Sequence, residues 1–155
     1  MTVYTTGATV RRSWAPDLDT GTLYALLALR TEVFVVEQNC PYQELDGRDL
    51  EQRTRHYWLA AERDGEIEIL ATLRLLKEAG GGYRIGRVCT RRDARGRGLG
   101  HRLMEAALAE VGDGHCVLDA QQAQAAFYAR HGFVVAGEPF TEDGIPHVPM
   151  SRSRP

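Results

Sequence analysis

The stretch RVCTRRDARGRGLGHRLMEAAL, residues 87–108, decides the fold. A β-branched run from Val88 to Thr90 gives way to a basic, glycine-rich turn, Arg95-Gly96-Arg97-Gly98-Leu99-Gly100. An amphipathic helical pattern follows at once, with Leu99, Leu103, Ala106, Ala107 and Leu108 on one face. Strand, glycine loop and helix start together make a place where backbone N–H groups converge without carbonyl partners. Three alternate glycines, Gly96, Gly98 and Gly100, let a ligand approach the main chain with no Cβ in the way. Arg95, Arg97, His101 and Arg102 add their positive potential to that of the helix dipole. This arrangement suits a pyrophosphate.

Glycine spacing alone leaves other ligands open. A nucleotide-triphosphate loop ends in Gly-Lys-Ser/Thr, whereas this one ends in Gly100-His101-Arg102. A dinucleotide fingerprint reads G-x-G-x-x-G, and the spacing here is G-x-G-x-G. Asp119, closing the apolar run VLD about 20 residues further on, favours that reading and a nicotinamide-nucleotide oxidoreductase. Only 36 residues follow Asp119, too few for the rest of a doubly wound sheet. A bare turn would leave the surrounding arginines without purpose.

The pattern R-x-x-G-x-G at Arg95, Gly98 and Gly100 resembles the acyl-CoA loop of the GNAT N-acetyltransferase superfamily. Ala125 to Phe133, AAFYARHGF, is similar to that superfamily's A-x-x-x-Y-x-x-x-G-F signature, with Tyr128 four residues before Gly132. Two more blocks, VFVVEQNCPYQELDGRDL (33–50) and EDGIPHVPM (142–150), resemble the ElaA branch. The four motifs occur in the family's order between about Leu23 and Met150. The resemblance implies an α+β fold, with a central mixed, mostly antiparallel sheet flanked by helices, in one domain over residues 1–155. It also implies acetyl transfer from acetyl-CoA to a primary amine, a small molecule or a peptide, by direct attack in a ternary complex.

Composition agrees with a single compact domain: 155 residues, 43% of them hydrophobic, enough for one core. A formal charge of −2 gives no general attraction to nucleic acid or to a membrane. Cys40, Cys89 and Cys116 are odd in number and lack metal-type spacing, so no metal is expected and reduced thiols in a reducing compartment are. The apolar runs LYALLAL and VFVV are far short of the ~20 residues that span a bilayer. With no charged stretch leading into an apolar one at the N-terminus, no signal peptide is expected, and the expected location is the cytoplasm. Edge strands leave room for a homodimer without specifying one.

Along the chain, residues 1–8 and 152–155 are expected to be loosely ordered. Thr9 to Trp14 reads as a strand. A helix capped by Asp19 or Thr20 should run from about Gly21 to Val36, with Arg30 falling among its apolar positions. A long polar connection, Glu37 to Arg55, follows. Strands are expected at Tyr57 to Glu62 and Ile67 to Leu76, joined at Asp64-Gly65, and at Tyr83 to Thr90. After the loop come a helix to about Glu110, a strand at Cys116 to Asp119 and a helix from Gln121 to His131 capped by Gly132. Phe133 to Ala136 and His147 to Ser151 should complete the sheet.

Acetyl transfer needs alignment, a neutral amine, an oxyanion partner and a proton for the departing thiolate. The resemblance implies that the backbone of Val88, Cys89 and Thr90 pairs with the pantetheine arm, beside which the strand from Cys116 splays away. It further implies that Arg95, Gly96, Arg97, Gly98, Leu99, Gly100 and His101 bind the pyrophosphate, and that Gln121 stands where relatives carry Asn near the cofactor. Tyr128 is the candidate acid, since a phenol of pKa near 10 stays protonated at neutral pH. It could equally be an aromatic packed with Phe127. Many relatives carry a carboxylate base on the strand before the loop, but Tyr83 to Arg87 offers none. Glu37, expected to be raised by partial burial, and His147 are the candidate bases; a water relay stays open. Cys40 and Cys89 read as packed thiols. Glu37, Glu44, Asp46, Asp49 and Glu51 against Arg48 give residues 37–51 a charge of −4, a candidate attraction for a cationic acceptor. The competing function is an acyl-CoA-binding sensor without turnover.

Overall fold

The computed structural model describes residues 7–153, so the expectations for residues 1–6 and 154–155 lie outside the described residues. Eight strands form one sheet: β1 (Thr9–Trp14), β2 (Arg55–Arg63), β3 (Glu66–Lys77), β4 (Tyr83–Thr90), β5 (Cys116–Gln121), β6 (Val134–Val135), β7 (Phe140–Glu142) and β8 (Ile145–Arg152). Their order is β1-β2-β3-β4-β5-β8-β6, with β7 pairing β8 beside β6. Every pairing is antiparallel except that of β4 with β5. A doubly wound parallel sheet is therefore excluded, and the dinucleotide reading of Asp119 falls with it. The mixed α+β sheet expected from the sequence is the one observed. Ala8 packs on the core and its carbonyl accepts from Arg102, and Arg152 pairs with Cys116 at the end of β8.

Three helices pack on the sheet: α1 (Thr20–Thr31), α2 (Leu99–Val111) and α3 (Ala125–Ala129). Asp19 caps α1 by accepting from the Thr22 amide at 2.7 Å. The β-branched residues Val33, Val35 and Val36 do not continue α1 as an α-helix; Glu32–Glu37 widens into a π-helix, with Gln38 N–H reaching the Val33 carbonyl. The expected helix end is thus corrected from α to π geometry. The last helix is also shorter than expected, because a 3-10 turn takes up Gln122–Gln124.

Side chains alternate across β3, and that alternation sorts the two sides of the protein. Leu73 and Leu75 join the main core with Leu103, Met104, Ala107 and Leu108 of α2. Arg74, between them, faces the other way and meets α1 across a cluster of charges. Arg30 of α1 is 1% exposed and donates to Glu44 and to Asp49. Arg74 donates to the same Asp49 and to Asp46, while Arg87 pairs with Glu44. His56, also buried, has its Nε2 3.0 Å from the Asp49 carbonyl. Together these bonds pin the connection between Glu37 and Arg55, whose only regular structure is a 3-10 turn at Arg48–Leu50. Of the five carboxylates offered as an attraction for a cationic acceptor, Glu44, Asp46 and Asp49 pair with arginines of α1, β3 and β4, Glu37 with Arg95 and Glu51 with Arg48.

Burial pushes the Asp49 carboxyl up, but hydrogen bonds and charge from Arg30, then Arg74, bring it below the ordinary carboxylate value. Asp46 is lowered likewise, by Arg74, the Arg48 amide and Arg87. Carboxyls lowered on folding stabilise fully above their unfolded pKa and lose that contribution as pH falls through the folded values. Urea midpoints should therefore fall from about pH 4 downward. Arg30→Ala leaves two buried carboxylates short of a partner and should cost about 3–5 kcal/mol in urea unfolding at neutral pH.

Candidate active site

A cleft of about 1070 Å³ runs beside β4. It exists because the two parallel strands hold together over only two rungs, Tyr83 with Cys116 and Arg84 with Val117. Beyond Arg84 the two strands part: β5 stays paired with β8 along its whole length, and β4 keeps only its β3 edge. The backbone of Val88, Cys89 and Thr90 thus has an edge with no neighbouring strand, as the splayed-strand expectation required. The ladder also slips there: Leu73 faces both Arg87 and Val88, and Arg87 adopts a left-handed φ of 54°. The bulge lies just before the open edge.

The glycine loop closes one end of this cleft. Gly96 and Gly98 have φ of 80° and 73°, where a side chain is strained, and a Cβ at either would meet nothing within 4 Å. Gly98 is the residue before α2, and Leu99, Gly100 and His101, whose N–H groups have no partner within the helix, line the same cleft. Gly100 serves differently: a Cβ there would stand 3.2 Å from the Phe127 ring, so its role is close helix-to-helix packing. Open space over two left-handed glycines, at a helix N-terminus, fits a diphosphate group. Leu99 is buried, anchoring the loop to the core, and His101 lines the cleft.

Arg95 lines the cleft and is also engaged within the protein. Its guanidinium donates twice to Glu37, at 2.6 and 2.8 Å, and once to the Thr90 carbonyl at 3.1 Å. It ties the glycine loop to the end of the π-helix. The same bonds overturn the expectation for Glu37: the Arg95 hydrogen bond outweighs desolvation, and its carboxyl lies below, not above, the ordinary value. Both its oxygens are engaged, which leaves it poorly suited to take a proton.

Tyr128 lines the cleft from α3, its ring edge-on to Phe127 and to Phe133. Gly132, at φ 89°, lets Phe133 N–H return to the Tyr128 carbonyl and so ends the helix as expected. No described residue hydrogen-bonds the Tyr128 hydroxyl. Burial, and then the nearby Cys89, raise its pKa above that of an ordinary phenol, so it stays protonated. Cys89 itself is packed against Leu29 and Val33, its pKa pushed up to about 12 by burial. Cys40 is buried too, its sulfur 3.3 Å from the Asp143 carbonyl. Neither is set up as a nucleophile.

His147 lines the cleft from β8, stacked on Phe140 with centroids 5.5 Å apart. Its Nδ1 lies 2.7 Å from the Ile145 carbonyl. A carbonyl can only accept, so Nδ1 carries the proton and Nε2 carries the lone pair. Gln121, next to it in the β5–β8 ladder, exchanges hydrogen bonds of 3.2 and 3.3 Å with Gln38 across the cleft. The turn that carries this wall, Asp143-Gly144, was missed along with β7, although Asp-Gly between Glu142 and Ile145 is a hairpin signal.

Residues 22–154 match the family model of the acetyltransferase (GNAT) domain. A UPF0039 protein of Mycobacterium tuberculosis is 61% identical over 146 residues, covering 92% of each chain. The crystal structure of an acyl-CoA N-acyltransferase from Pseudomonas aeruginosa superposes with a TM-score of 0.85 at 48% identity, over 95% of this chain and 100% of that one. The crystal structure of Escherichia coli ElaA gives 0.83 at 37% identity, with the same coverage.

Gly98→Ala tests the strain in the loop directly. A Cβ at this left-handed position should cost about 1–2 kcal/mol, read as a lower urea midpoint with an unchanged m-value.

Proposed function

The chain belongs to the GNAT acetyltransferase family and is similar to the ElaA proteins, and we propose that it acetylates a primary amine with acetyl-CoA. The carrying observation is the strand edge left open beside β4, next to a glycine loop whose backbone faces the same cleft. Acetyl-CoA supplies an activated thioester carbonyl. Unpaired β4 amides around the bulge hold the pantetheine arm and the carbonyl oxygen, and the amides of Gly96 to His101 hold the diphosphate. Gln121, bridged to Gln38, marks where the arm passes between the two walls.

His147 is the base in this reading. Its Nε2 takes a proton from the amine as nitrogen bonds to the carbonyl carbon. The carbon–sulfur bond then breaks, and the electron pair leaves on sulfur. Tyr128 gives its proton to that sulfur, so amide and thiol leave neutral, and solvent carries a proton from His147 back to Tyr128. What supports His147 over Glu37 is the hydrogen-bond pattern: one has a free lone pair, the other a carboxylate bound twice by Arg95. The three buried, unpaired cysteines suit a reducing compartment, and we place the reaction in the cytoplasm.

Tyr128→Phe should lower kcat by about 10²- to 10⁴-fold while coenzyme A affinity changes little. If coenzyme A binds tightly and no amine in a broad panel accelerates thiol release by the wild type, the sensor reading replaces this one.

His147→Gln should lower kcat by about 10²- to 10⁴-fold with coenzyme A affinity little changed. Glu37→Gln should leave kcat within a few-fold of wild type, whatever it does to loop stability; the reverse result assigns the base to Glu37.

A further inference from the structure

His131 does not line the cleft, yet it touches a residue that does. Its Nε2 lies 2.8 Å from Nδ1 of His101, on the first turn of α2. The two rings close around Phe127, with centroids 4.6, 5.0 and 5.5 Å apart. Two imidazole nitrogens this close share one proton: two protons would set N–H against N–H, and none would set lone pair against lone pair. The contact therefore tolerates a neutral pair or a singly charged one, and excludes the doubly charged pair.

Resting on the reading that the glycine loop binds coenzyme A, we propose that His101 and His131 form a proton-sharing pair that takes up one proton when the diphosphate docks. A diphosphate over the loop places negative charge beside His101 and favours its imidazolium form. His101 then carries protons on both nitrogens and donates Nδ1–H to the lone pair of His131. His131 is a positioning residue, keeping the imidazolium ring oriented without touching the ligand.

The surroundings of His131 keep that lone pair available. Burial holds its pKa below the ordinary value, and His101 from α2 and Arg130 and Arg152, on either side, push the same way. Glu105, also on α2, is the opposing charge. Arg102 faces away, its guanidinium on the Ala8 carbonyl.

The test is calorimetry with 3′-dephospho-coenzyme A, which keeps the diphosphate and lacks the phosphate monoester that would itself titrate near neutrality. Titrations at pH 7.5 in HEPES and in Tris, buffers of different ionisation enthalpy, give the protons exchanged. Wild-type protein should take up about half to one proton per site. His131→Phe should abolish that uptake and flatten the pH dependence of affinity; His131→Gln, whose amide oxygen can accept from His101, should restore most of it. Binding without buffer-dependent heat overturns the proposal and leaves the loop assignment standing. Binding of coenzyme A but not of the dephospho form assigns recognition to the 3′-phosphate and also overturns it. If neither ligand binds, the parent reading fails and takes this one with it.

Discussion

Arg30 is a guanidinium inside a protein, and most of what shapes the cleft traces back to how its charge is met. Moving such an ion out of water costs several kcal/mol, which its partners must offset through geometry. Glu44 and Asp49 do so from the connection after α1, and Asp49 in turn engages Arg74 on β3. Asp46 completes Arg74, and Glu44 completes Arg87 at the β4 bulge. A chain of alternating charges thus links α1, the long connection and two strands. The connection carries little apolar surface and almost no regular structure, so these bonds, rather than burial, give it one conformation.

This has a consequence on the other side of the same residues. The connection forms one wall of the cleft, through Cys40, Tyr42, Gln43 and Asp46. With its carboxylates engaged inward by arginine, that wall offers an acceptor polar contacts but little net field. On the proposed function, acceptor choice would fall to shape and short hydrogen bonds, because long-range attraction needs unbalanced charge.

The features read best from sequence were those whose physics is local. Thr9 to Trp14 and Tyr83 to Thr90 are strands with the boundaries that alternation and glycine turns indicate, and Gly132 ends its helix as a left-handed residue must. What sequence hid was partnership at long range. Arg30 looked like one residue of an apolar stripe, and Glu44, Asp46 and Asp49 like a solvated acidic run. Only the fold brings a helix, a connection and two strands together so that each charge finds its counterpart. Glu37 failed for the same reason, since Arg95 lies 58 residues away. The Asp143-Gly144 turn is a different matter: its signal is local, identical to that of Asp64-Gly65, and its short strand β7 was simply too brief to show alternation.

Strain sharpens the contrast between these positions. Among the described residues, four that are not glycine have positive φ: Asn39, Asp64, Arg87 and Asp143. Asp64 and Asp143 each precede a glycine, also at positive φ, in a two-residue hairpin, where this backbone is favoured. Asn39 is of a type that tolerates the left-handed region. Arg87 has no such excuse: it is long, lies within a strand and is opposed by no turn. Its backbone is over-determined from both sides, by the β3 ladder and by Glu44, whose carboxylate and carbonyl both bind the guanidinium. The ion network built around Arg30 therefore reaches the one strained residue at the open strand edge, and stabilisation gained in the interior is what holds the bulge at the cleft in place.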